Sequence, residues 1–454
     1  MPGSLLRGAG ALLVAIGVAL AWWLTLSPSQ PEIAGLYSFR RITFNLAATA
    51  AGLWGVYFLL GGKPARHKVL VCASQAIAIG AMLFLIELPV LFFGFDYRTV
   101  FGSAADVTEL ELTSRNNRPD PVLIHLHWPD SAFSGDATGN LVHLGIPRPR
   151  RYPVNVRYDR SGFRNDNNFE QADIVVIGDS FVEAALVSRQ ETVVAQLESM
   201  LNTPVANLGQ IAYGLRQELE VLRRFGLPLK PRLVVWVLFG GNDLRDVEFY
   251  ERQLERVGRA RPPATLEERL ASRNALALAG KLAVDAVRNA GGQPSANALN
   301  HSALFRRADG TRERVYFSPP EDTPSPHQWQ VAIDALTQAD RSARAAGADF
   351  LVVYAPRSFR VYKPHLEIAP EHASARWVVN DLPERLGRWA AEKGIPFVDT
   401  TPRLAAVVAR GEHPYFVDDV HWNALGHETA AQVITEELAA ARLFPFRPEA
   451  RSPR

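Results

Sequence analysis

The sequence predicts a helical membrane region followed by an α/β domain in which helices cover a parallel sheet. Two observations lead to this fold class. Three uncharged stretches lie before residue 98, and each reaches the roughly 20 residues that a helix needs to cross the hydrocarbon core of a bilayer. From Asp173 onward, short apolar segments rich in β-branched residues alternate with amphipathic helical patterns. That alternation is typical of a sheet buried on both faces.

The bulk composition suits a chain that is part membrane-embedded and part soluble. Of 454 residues, 47% are hydrophobic, and the formal net charge is +2. Basic and acidic residues are interspersed, so the sequence predicts no nucleic-acid partner. A single cysteine, Cys72, excludes an internal disulfide. The length leaves room for two or three domains.

The predicted membrane region covers residues 1–98, with spans at 8–26, 42–62 and 69–95. Placing the amino terminus in the cytoplasm puts more basic residues inside than the reverse orientation does, which is the usual topology. Three spans then send the rest of the chain across the bilayer. We therefore expect a multi-pass protein of a bacterial-type cytoplasmic (inner) membrane, with an extracytoplasmic (periplasmic) catalytic domain.

Residues 99–170 alternate apolar and polar residues between turn clusters, which predicts a small β-rich connecting region. His125 and His127 lie two residues apart and would share one face of a strand. This spacing can hold a metal. Because no third ligand lies nearby in the sequence, a packed or solvated strand face is the favoured interpretation.

The predicted catalytic domain covers residues 171–445, followed by a tail at 446–454. Its apolar strands are predicted at 173–177, 203–208, 232–239, 349–354 and 396–398, and its last helix at about 427–441. A charged segment at about 244–326, here called the excursion, interrupts the alternation of strands and helices after the third strand. Such an insertion overhangs the carboxyl ends of the strands, so it is either a substrate-shaping lid or a surface decoration.

The chemistry-bearing residues follow these strands. Ser180 lies just past the first strand, in Gly178-Asp179-Ser180, where nucleophiles and ligands sit in open α/β sheets. A serine hydroxyl needs a base, and an imidazole such as that of His421 has a suitable pKa. The imidazole in turn needs a carboxylate, and Asp418 lies three residues before it. The amide of Asn242, at another strand end, is a candidate donor to a tetrahedral intermediate.

Four blocks in order resemble those of the SGNH (GDSL-type) hydrolase superfamily: Gly178-Asp179-Ser180, the loop 209–214, Gly241-Asn242-Asp243 and Asp418-x-x-His421. The resemblance covers about residues 170–442. It implies a three-layer α/β/α sandwich with a five-stranded parallel sheet and no metal or cofactor. It also implies that Ser180 is the nucleophile, His421 the base and Asp418 the orienting acid. The oxyanion hole would consist of Ser180 N–H, Asn242 and a backbone N–H of the second block.

Two positions depart from the family pattern. The second-block glycine falls on Ala212, whose backbone N–H can serve if its conformation is accessible, and Gly209 is the competing donor. The fourth block offers a second acid, because Asp419 matches the Asp-x-His variant of SGNH-like alginate acetyltransferases. The usual spacing favours Asp418.

Membrane spans before such a domain resemble enzymes that acylate or deacylate cell-surface polysaccharides. The leading hypothesis is a membrane-anchored serine acyl-esterase or O-acyltransferase, with acetyl as the expected group and a glycan or glycolipid as substrate. Since water and a sugar hydroxyl can both resolve an acyl-enzyme, the triad does not separate the two reactions. A transferase would also need an acyl-donating membrane protein as partner. The alternatives are a non-catalytic glycan-binding or assembly protein on this fold, and a lipase or lysophospholipase.

Overall fold

The structure is a computed structural model that describes residues 2–24, 39–60, 62–93, 108–255, 292 and 294–446. The chain forms two compact units. The first comprises Met1–Ala105 and Pro262–Asn297, and the second comprises Asp106–Arg261 and Ala298–Arg454. The predicted connecting region, from Asp106 onward, therefore belongs to the same unit as the predicted catalytic domain. Residues 99–107 and 447–454 lie outside the described residues.

The described part of Met1–Ala105 contains the helices Pro2–Leu24 (α1), Phe39–Leu60 (α2) and Ala65–Phe93 (α3). The Trp22 indole donates to Thr49 Oγ1 at 2.9 Å and so ties α1 to α2. The Lys68 ammonium donates to Phe58 O at 2.5 Å, between α2 and α3. Large apolar side chains along these helices, such as Leu13, are exposed.

Two of these helices have the length and apolarity to cross a membrane, at Arg7–Leu24 and Ala65–Val90. The sequence predicts three spans. The apolar part of the middle helix, Phe44–Leu60, is shorter. The apolar part of α2 is shorter than the predicted span because Arg40 and Arg41 lie in the first turn of the helix, and that turn is therefore not apolar.

The second unit begins with short elements that precede the main sheet. These are Glu109–Ser114 (α4), Asn117–Asp120 (β1), Ile124–His127 (β2), Ala132–Thr138 (β3) and Arg151–Arg157 (β4). β1 pairs with β2 and β3 with β4, both antiparallel. The two hairpins agree with the predicted β-rich character of this region.

The main sheet has five parallel strands, and its fold confirms the prediction of an α/β sandwich. The strands are Ile174–Gly178 (β5), Val205–Gly209 (β6), Leu233–Phe239 (β7), Asp349–Ala355 (β10) and Phe397–Asp399 (β11). Their order across the sheet is β11-β10-β7-β5-β6, and every neighbouring pair is parallel. Each strand begins and ends within two residues of its predicted bounds. The agreement is close because an apolar run and the polar residue that ends it are both local features of the sequence.

Alternating side chains of β5 explain the three layers. Ile174 and Val176 belong to one apolar core, and Val175 and Ile177 belong to the other. Because both faces are covered, every residue of β5 and β7 is buried. Burying one such side chain contributes about 1.5–3 kcal/mol, so a continuous apolar run is stable only between two layers of helices.

The helices divide between the two faces. On the face of Ile174 lie Val193–Leu201, Thr401–Ala409 and Ala424–Ala440, the last helix. On the face of Val175 lie Leu215–Val221, Pro326–Ala345 and Leu382–Lys393. This arrangement leaves the carboxyl ends of the strands free to carry loops, and the candidate site lies there.

The predicted excursion is only partly a loop. It contains the helices Asp246–Leu254 and Ala296–Asn300, and a hairpin of Ser302–Arg306 (β8) and Arg312–Tyr316 (β9). Phe305 and Phe317 are buried in the same core as β5, so the hairpin is a core element rather than a lid or a decoration. Residues 256–291 and 293 of the excursion lie outside the described residues.

Candidate active site

Ser180 lies at the carboxyl end of β5, between β7 and β6 in the sheet. Asp179 caps the short helix Ser180–Glu183, since its Oδ1 accepts the Phe181 N–H at 2.9 Å. The Ser180 hydroxyl is 2.7 Å from His421 Nε2. Both side chains are largely buried but keep some exposure, 8% for Ser180 and 9% for His421. The serine therefore has a base within hydrogen-bond distance and an opening to solvent.

His421 is held by an Asx turn just before the last helix. Its Nδ1 lies 2.6 Å from Asp419 Oδ1, and its own backbone N–H donates to the same oxygen at 2.9 Å. The second oxygen of Asp419 accepts the Asn140 N–H at 2.5 Å. Because a carboxylate can only accept here, Nδ1 keeps its proton when the ring is neutral, and Nε2 of the neutral ring can then take a proton from Ser180.

The expectation that Asp418 orients the imidazole is wrong. Its carboxylate accepts the Tyr152 hydroxyl and the Arg150 N–H, the latter at 3.0 Å. The physical reason is the Asx turn, which needs the carboxylate two residues before the donor N–H. Asp419 fits that geometry, and its neighbour Asp418 points away toward β4. The Asp-x-His alternative is the one that the structure brings to the ring.

A second carboxylate, absent from the predicted site, approaches the same imidazole. Glu109 Oε2 lies 3.3 Å from His421 Nδ1, and the Glu109 side chain is 2% exposed. Its Oε1 accepts the Ala185 N–H at 3.1 Å. A capping box at Thr108-x-x-Glu111 marks the start of α4. No local pattern in the sequence indicates that Glu109 contacts the imidazole of His421, which lies 312 positions later in the chain.

Loops from the upstream region also hold the turn that carries His421. Asn140 Oδ1 accepts the Val420 N–H at 3.3 Å, and Leu141 N–H donates to Asp418 O at 3.2 Å. Gly139 permits this approach, because a Cβ there would lie 2.2 Å from Asp418 O. The region predicted to be a connector is thus a structural part of the candidate site.

Of the predicted oxyanion donors, Gly209 is excluded. Its N–H donates to Asn207 Oδ1 at 2.9 Å, and its Cα packs so closely on the helix after Ser180 that a Cβ would lie 2.4 Å from Glu183 N. Gly209 serves close packing rather than anion binding. Asn242 Nδ2 donates to Asp246 Oδ2 at 3.2 Å, and an amide nitrogen has a second hydrogen that remains available.

Ala212 takes the conformation that the family pattern reserves for glycine, with φ at 61°. It is exposed, in a turn that follows β6. The preceding residue, Ile211, is anchored on both sides: its N–H donates to Glu183 Oε2 at 2.6 Å, and its carbonyl is 3.0 Å from His125 Nε2. These contacts maintain the left-handed turn despite the Cβ of alanine.

Beneath this turn lies a buried polar network centred on Glu183. Glu183 Oε1 accepts the Tyr158 hydroxyl at 2.7 Å and lies 3.1 Å from His127 Nε2. Arg164 N–H groups donate to the carbonyls of Glu183 at 2.9 Å and Val187 at 2.7 Å. His125 and His127 are therefore packed side chains, as predicted. His125 contacts the loop of Ala212 directly, and His127 is linked to that loop through Glu183.

Electrostatics at the imidazole favour its charged form. Burial opposes the charge, but attraction by Asp419 and Glu109 outweighs it and raises the pKa of His421 to about 10. Burial also raises the pKa of Glu109 to about 7, although His421 pulls it down. Asp419, despite its burial, has a lowered pKa because of His421 and the hydrogen bonds it accepts. Because only the neutral imidazole can accept a proton, the raised pKa means that His421 acts as a general base at a higher pH than an ordinary histidine.

We expect Ala212→Gly to leave kcat for ester hydrolysis within about threefold of the wild type, because a candidate oxyanion donor at this position is a backbone N–H that glycine retains. Relief of the left-handed strain, about 1–2 kcal/mol, offsets the entropy cost of glycine, about 0.5–1 kcal/mol, so the free energy of unfolding should not fall. Steady-state kinetics and urea unfolding of both proteins measure this. Ala346→Gly, in an αR residue that ends a helix, is the control expected to destabilise. A large loss of activity in Ala212→Gly alone would contradict the assignment.

Two cavities flank the loop that carries His421, with volumes of about 570 and 760 Å³. Both are lined by Phe416, Asn423 and Leu425. The smaller also has Tyr152, and the larger has Arg157. Guanidinium, amide and aromatic groups therefore lie beside the loop that carries His421.

A family model described as the GDSL-like Lipase/Acylhydrolase family matches residues 176–429. No curated protein matches the sequence.

Several solved structures resemble the chain. One is a catalytic mutant of Axe2, an acetylxylan esterase from Geobacillus stearothermophilus, at 14% identity and a TM-score of 0.31, covering 62% of this chain and 99% of that one. A GDSL-like lipase from Bacteroides thetaiotaomicron is 14% identical with a TM-score of 0.30, covering 59% and 88%. An acetyl xylan esterase from Butyrivibrio proteoclasticus is 10% identical with a TM-score of 0.28, covering 65% and 71%.

Proposed function

Because this chain belongs to the GDSL-like lipase/acylhydrolase family, and is thus an esterase-type enzyme, we propose that it cleaves an acyl ester through a covalent acyl-enzyme on Ser180. The observation that carries the proposal is the chain of short contacts from Ser180 Oγ to His421 Nε2, 2.7 Å, and from His421 Nδ1 to Asp419, 2.6 Å. Nucleophile, base and orienting carboxylate stand in the order that serine acyl transfer requires.

In the first step Ser180 Oγ attacks the acyl carbonyl carbon while its proton moves to His421 Nε2. A C–O bond forms, and the carbonyl oxygen becomes an oxyanion. The tetrahedral species then expels the alcohol, whose oxygen takes the proton back from Nε2. Asp419 stabilises the imidazolium that exists between the two proton transfers. An ester of Ser180 remains.

The oxyanion needs hydrogen-bond donors at its position. We assign this task to the backbone N–H groups of Ser180 and Ala212 and to the free hydrogen of the Asn242 amide. Neither N–H group has a hydrogen-bond partner among the described residues, and each follows the carboxyl end of a parallel strand. Loss of one such donor costs about 10²–10³-fold in kcat.

The second half of the reaction decides between hydrolysis and transfer. Water attacking the acyl-enzyme gives the free acid, and a sugar hydroxyl gives a new ester, with His421 as base in both. We propose an acetyl group and a glycan or glycolipid as the ester substrate. Support comes from the polar and aromatic cavities beside the His421 loop, since such linings suit hydroxylated ligands. A transferase would draw its acyl group from a partner membrane protein.

We also propose that the enzyme is anchored in a bacterial-type inner membrane, with its catalytic unit on the periplasmic side. The apolarity of Arg7–Leu24 and Ala65–Val90 supports the anchor. The outward-facing apolar side chains of α1 and α3 suit a lipid surround.

The test uses the full-length protein in detergent and a fluorophosphonate, which reacts with activated serines. We expect covalent labelling at one residue, identified as Ser180 by peptide mass. Ser180→Ala should remain unlabelled, and Ser114→Ala, which removes an exposed helix serine, should label like the wild type. Absence of labelling in the wild type, or equal labelling of Ser180→Ala, would refute the proposal.

The same proteins then receive p-nitrophenyl acetate with and without oligosaccharide acceptors. Serine-dependent nitrophenol release without a change in acceptor mass supports hydrolysis. A serine-dependent mass gain of one acetyl group on the acceptor supports transfer.

A further inference from the structure

Glu109 is the buried carboxylate that the proposed mechanism leaves unused. It lies at the start of α4, whose capping box of Thr108 and Glu111 fixes the helix start. Its side chain is 2% exposed, and Oε2 lies 3.3 Å from His421 Nδ1. That oxygen is buried without a hydrogen-bond partner in the part of the chain that the structure describes, while Oε1 accepts the Ala185 N–H.

A purely structural anchor does not explain this arrangement. A buried carboxylate is costly unless it is paired, and a glutamine would accept the Ala185 N–H as well as a glutamate does. The two side chains differ at the Oε2 position, where glutamate shares a negative charge and glutamine has a neutral NH₂ group, and the imidazole of His421 lies 3.3 Å from Oε2.

We propose that Glu109 is a positioning residue that acts as a second carboxylate on His421 and sets the pH above which the imidazole can accept the proton of Ser180. The inference rests on the proposed function and deepens it. Glu109 forms no bond to substrate and transfers no proton in the step. It adds a negative charge beside the imidazolium that forms when Ser180 attacks, and it also holds the resting proton on the ring more firmly.

Other charged groups face this pair from each neighbouring element. Asp419 lies on the same loop as His421, Asp179 precedes the nucleophile, and His427 belongs to the last helix. Glu183 and Arg164 act on Glu109 with opposite signs. Burial raises the pKa of Glu109 to about 7, although His421 lowers it, so Glu109 is already an anion at the higher pH at which His421 loses its proton.

The experiment compares pH profiles of kcat/KM in the full-length wild type and Glu109→Gln, with Ser180→Ala subtracted as background. A nearby opposite charge shifts a pKa by about 1–3 units. Removing the Glu109 charge should therefore move the acid limb of the variant to lower pH by about one unit or more. The sign follows because loss of an anion destabilises the imidazolium, so the ring gives up its proton at lower pH.

Two further variants separate charge from structure. Glu111→Gln removes a charge from the exposed face of the same helix and keeps its capping box, so its profile should match the wild type. Glu109→Asp keeps the anion but shortens the reach to Ala185. Charge control predicts that its acid limb stays nearer the wild type than that of Glu109→Gln, and a structural anchor predicts no such rescue.

An acid limb in Glu109→Gln that coincides with the wild type would overturn the inference while leaving the proposed function intact. If no serine-dependent release occurs, the pH dependence of fluorophosphonate labelling at Ser180 measures the same imidazole and replaces the kinetic profile. Failure of both release and labelling refutes the proposed function itself.

Discussion

Asp419→Asn is expected to lower kcat for ester hydrolysis by about 10³–10⁴-fold, the range for a serine hydrolase whose orienting carboxylate becomes neutral. The carboxamide can present its NH₂ to Nδ1, which would then have to accept. The imidazole would change tautomer, and its Nε2 would carry the hydrogen that must come from Ser180. The lower figure allows for Glu109, which still offers a carboxylate 3.3 Å from Nδ1. Steady-state kinetics with p-nitrophenyl acetate measure the change.

Asp418→Asn is the matched control, since it makes the same chemical change one residue away. The Tyr152 hydroxyl donates to one oxygen of Asp418 and the Arg150 N–H to the other. In the variant the carboxamide oxygen can accept the Arg150 N–H while its NH₂ group donates to the Tyr152 hydroxyl oxygen. We expect kcat within about tenfold of the wild type, because the residue supports the loop without touching the ring. A larger loss in Asp418→Asn than in Asp419→Asn would restore Asp418 as the orienting acid.

Glu183→Ala should be the most destabilising single change near the site, lowering the free energy of unfolding by about 3–5 kcal/mol. The substitution leaves His127, the Tyr158 hydroxyl and the Ile211 N–H without their shared acceptor in a buried space. Removing one partner of a buried charged network costs far more than the network contributes as a whole. Urea unfolding followed by tryptophan fluorescence measures the loss.

The control is Glu392→Ala, because Glu392 is exposed on the helix Leu382–Lys393 and its removal should change the free energy by no more than about 0.5 kcal/mol. Glu183→Ala should also lose activity, since Ile211 no longer holds the turn of Ala212. A destabilisation below about 1 kcal/mol would show that water or a neighbouring group replaces the carboxylate.

The main sheet was predictable because its signals are local. A run such as Ile174-Val-Val-Ile177 can be buried on both faces only between two helical layers, and Gly178-Asp179-Ser180 marks where it ends. The same reasoning placed Ser180 and His421 at strand and helix ends. The middle membrane helix was harder, because the charges at its start decide whether the remaining apolar length suffices.

What the sequence by itself determined is therefore the α/β class, the five strands and the places of Ser180 after the first sheet strand and of His421 before the last helix, because contiguous residues specify each of them. The tertiary structure alone decided which carboxylates meet the imidazole. Asp418 and Asp419 differ only in the direction in which one turn points them, and Asn140 contacts that turn from 279 residues away. Glu109 reaches the ring from a helix with no pattern in common with the site. Such long-range contacts depend on how loops pack over the end of the sheet, and no periodic pattern in the sequence predicts that packing.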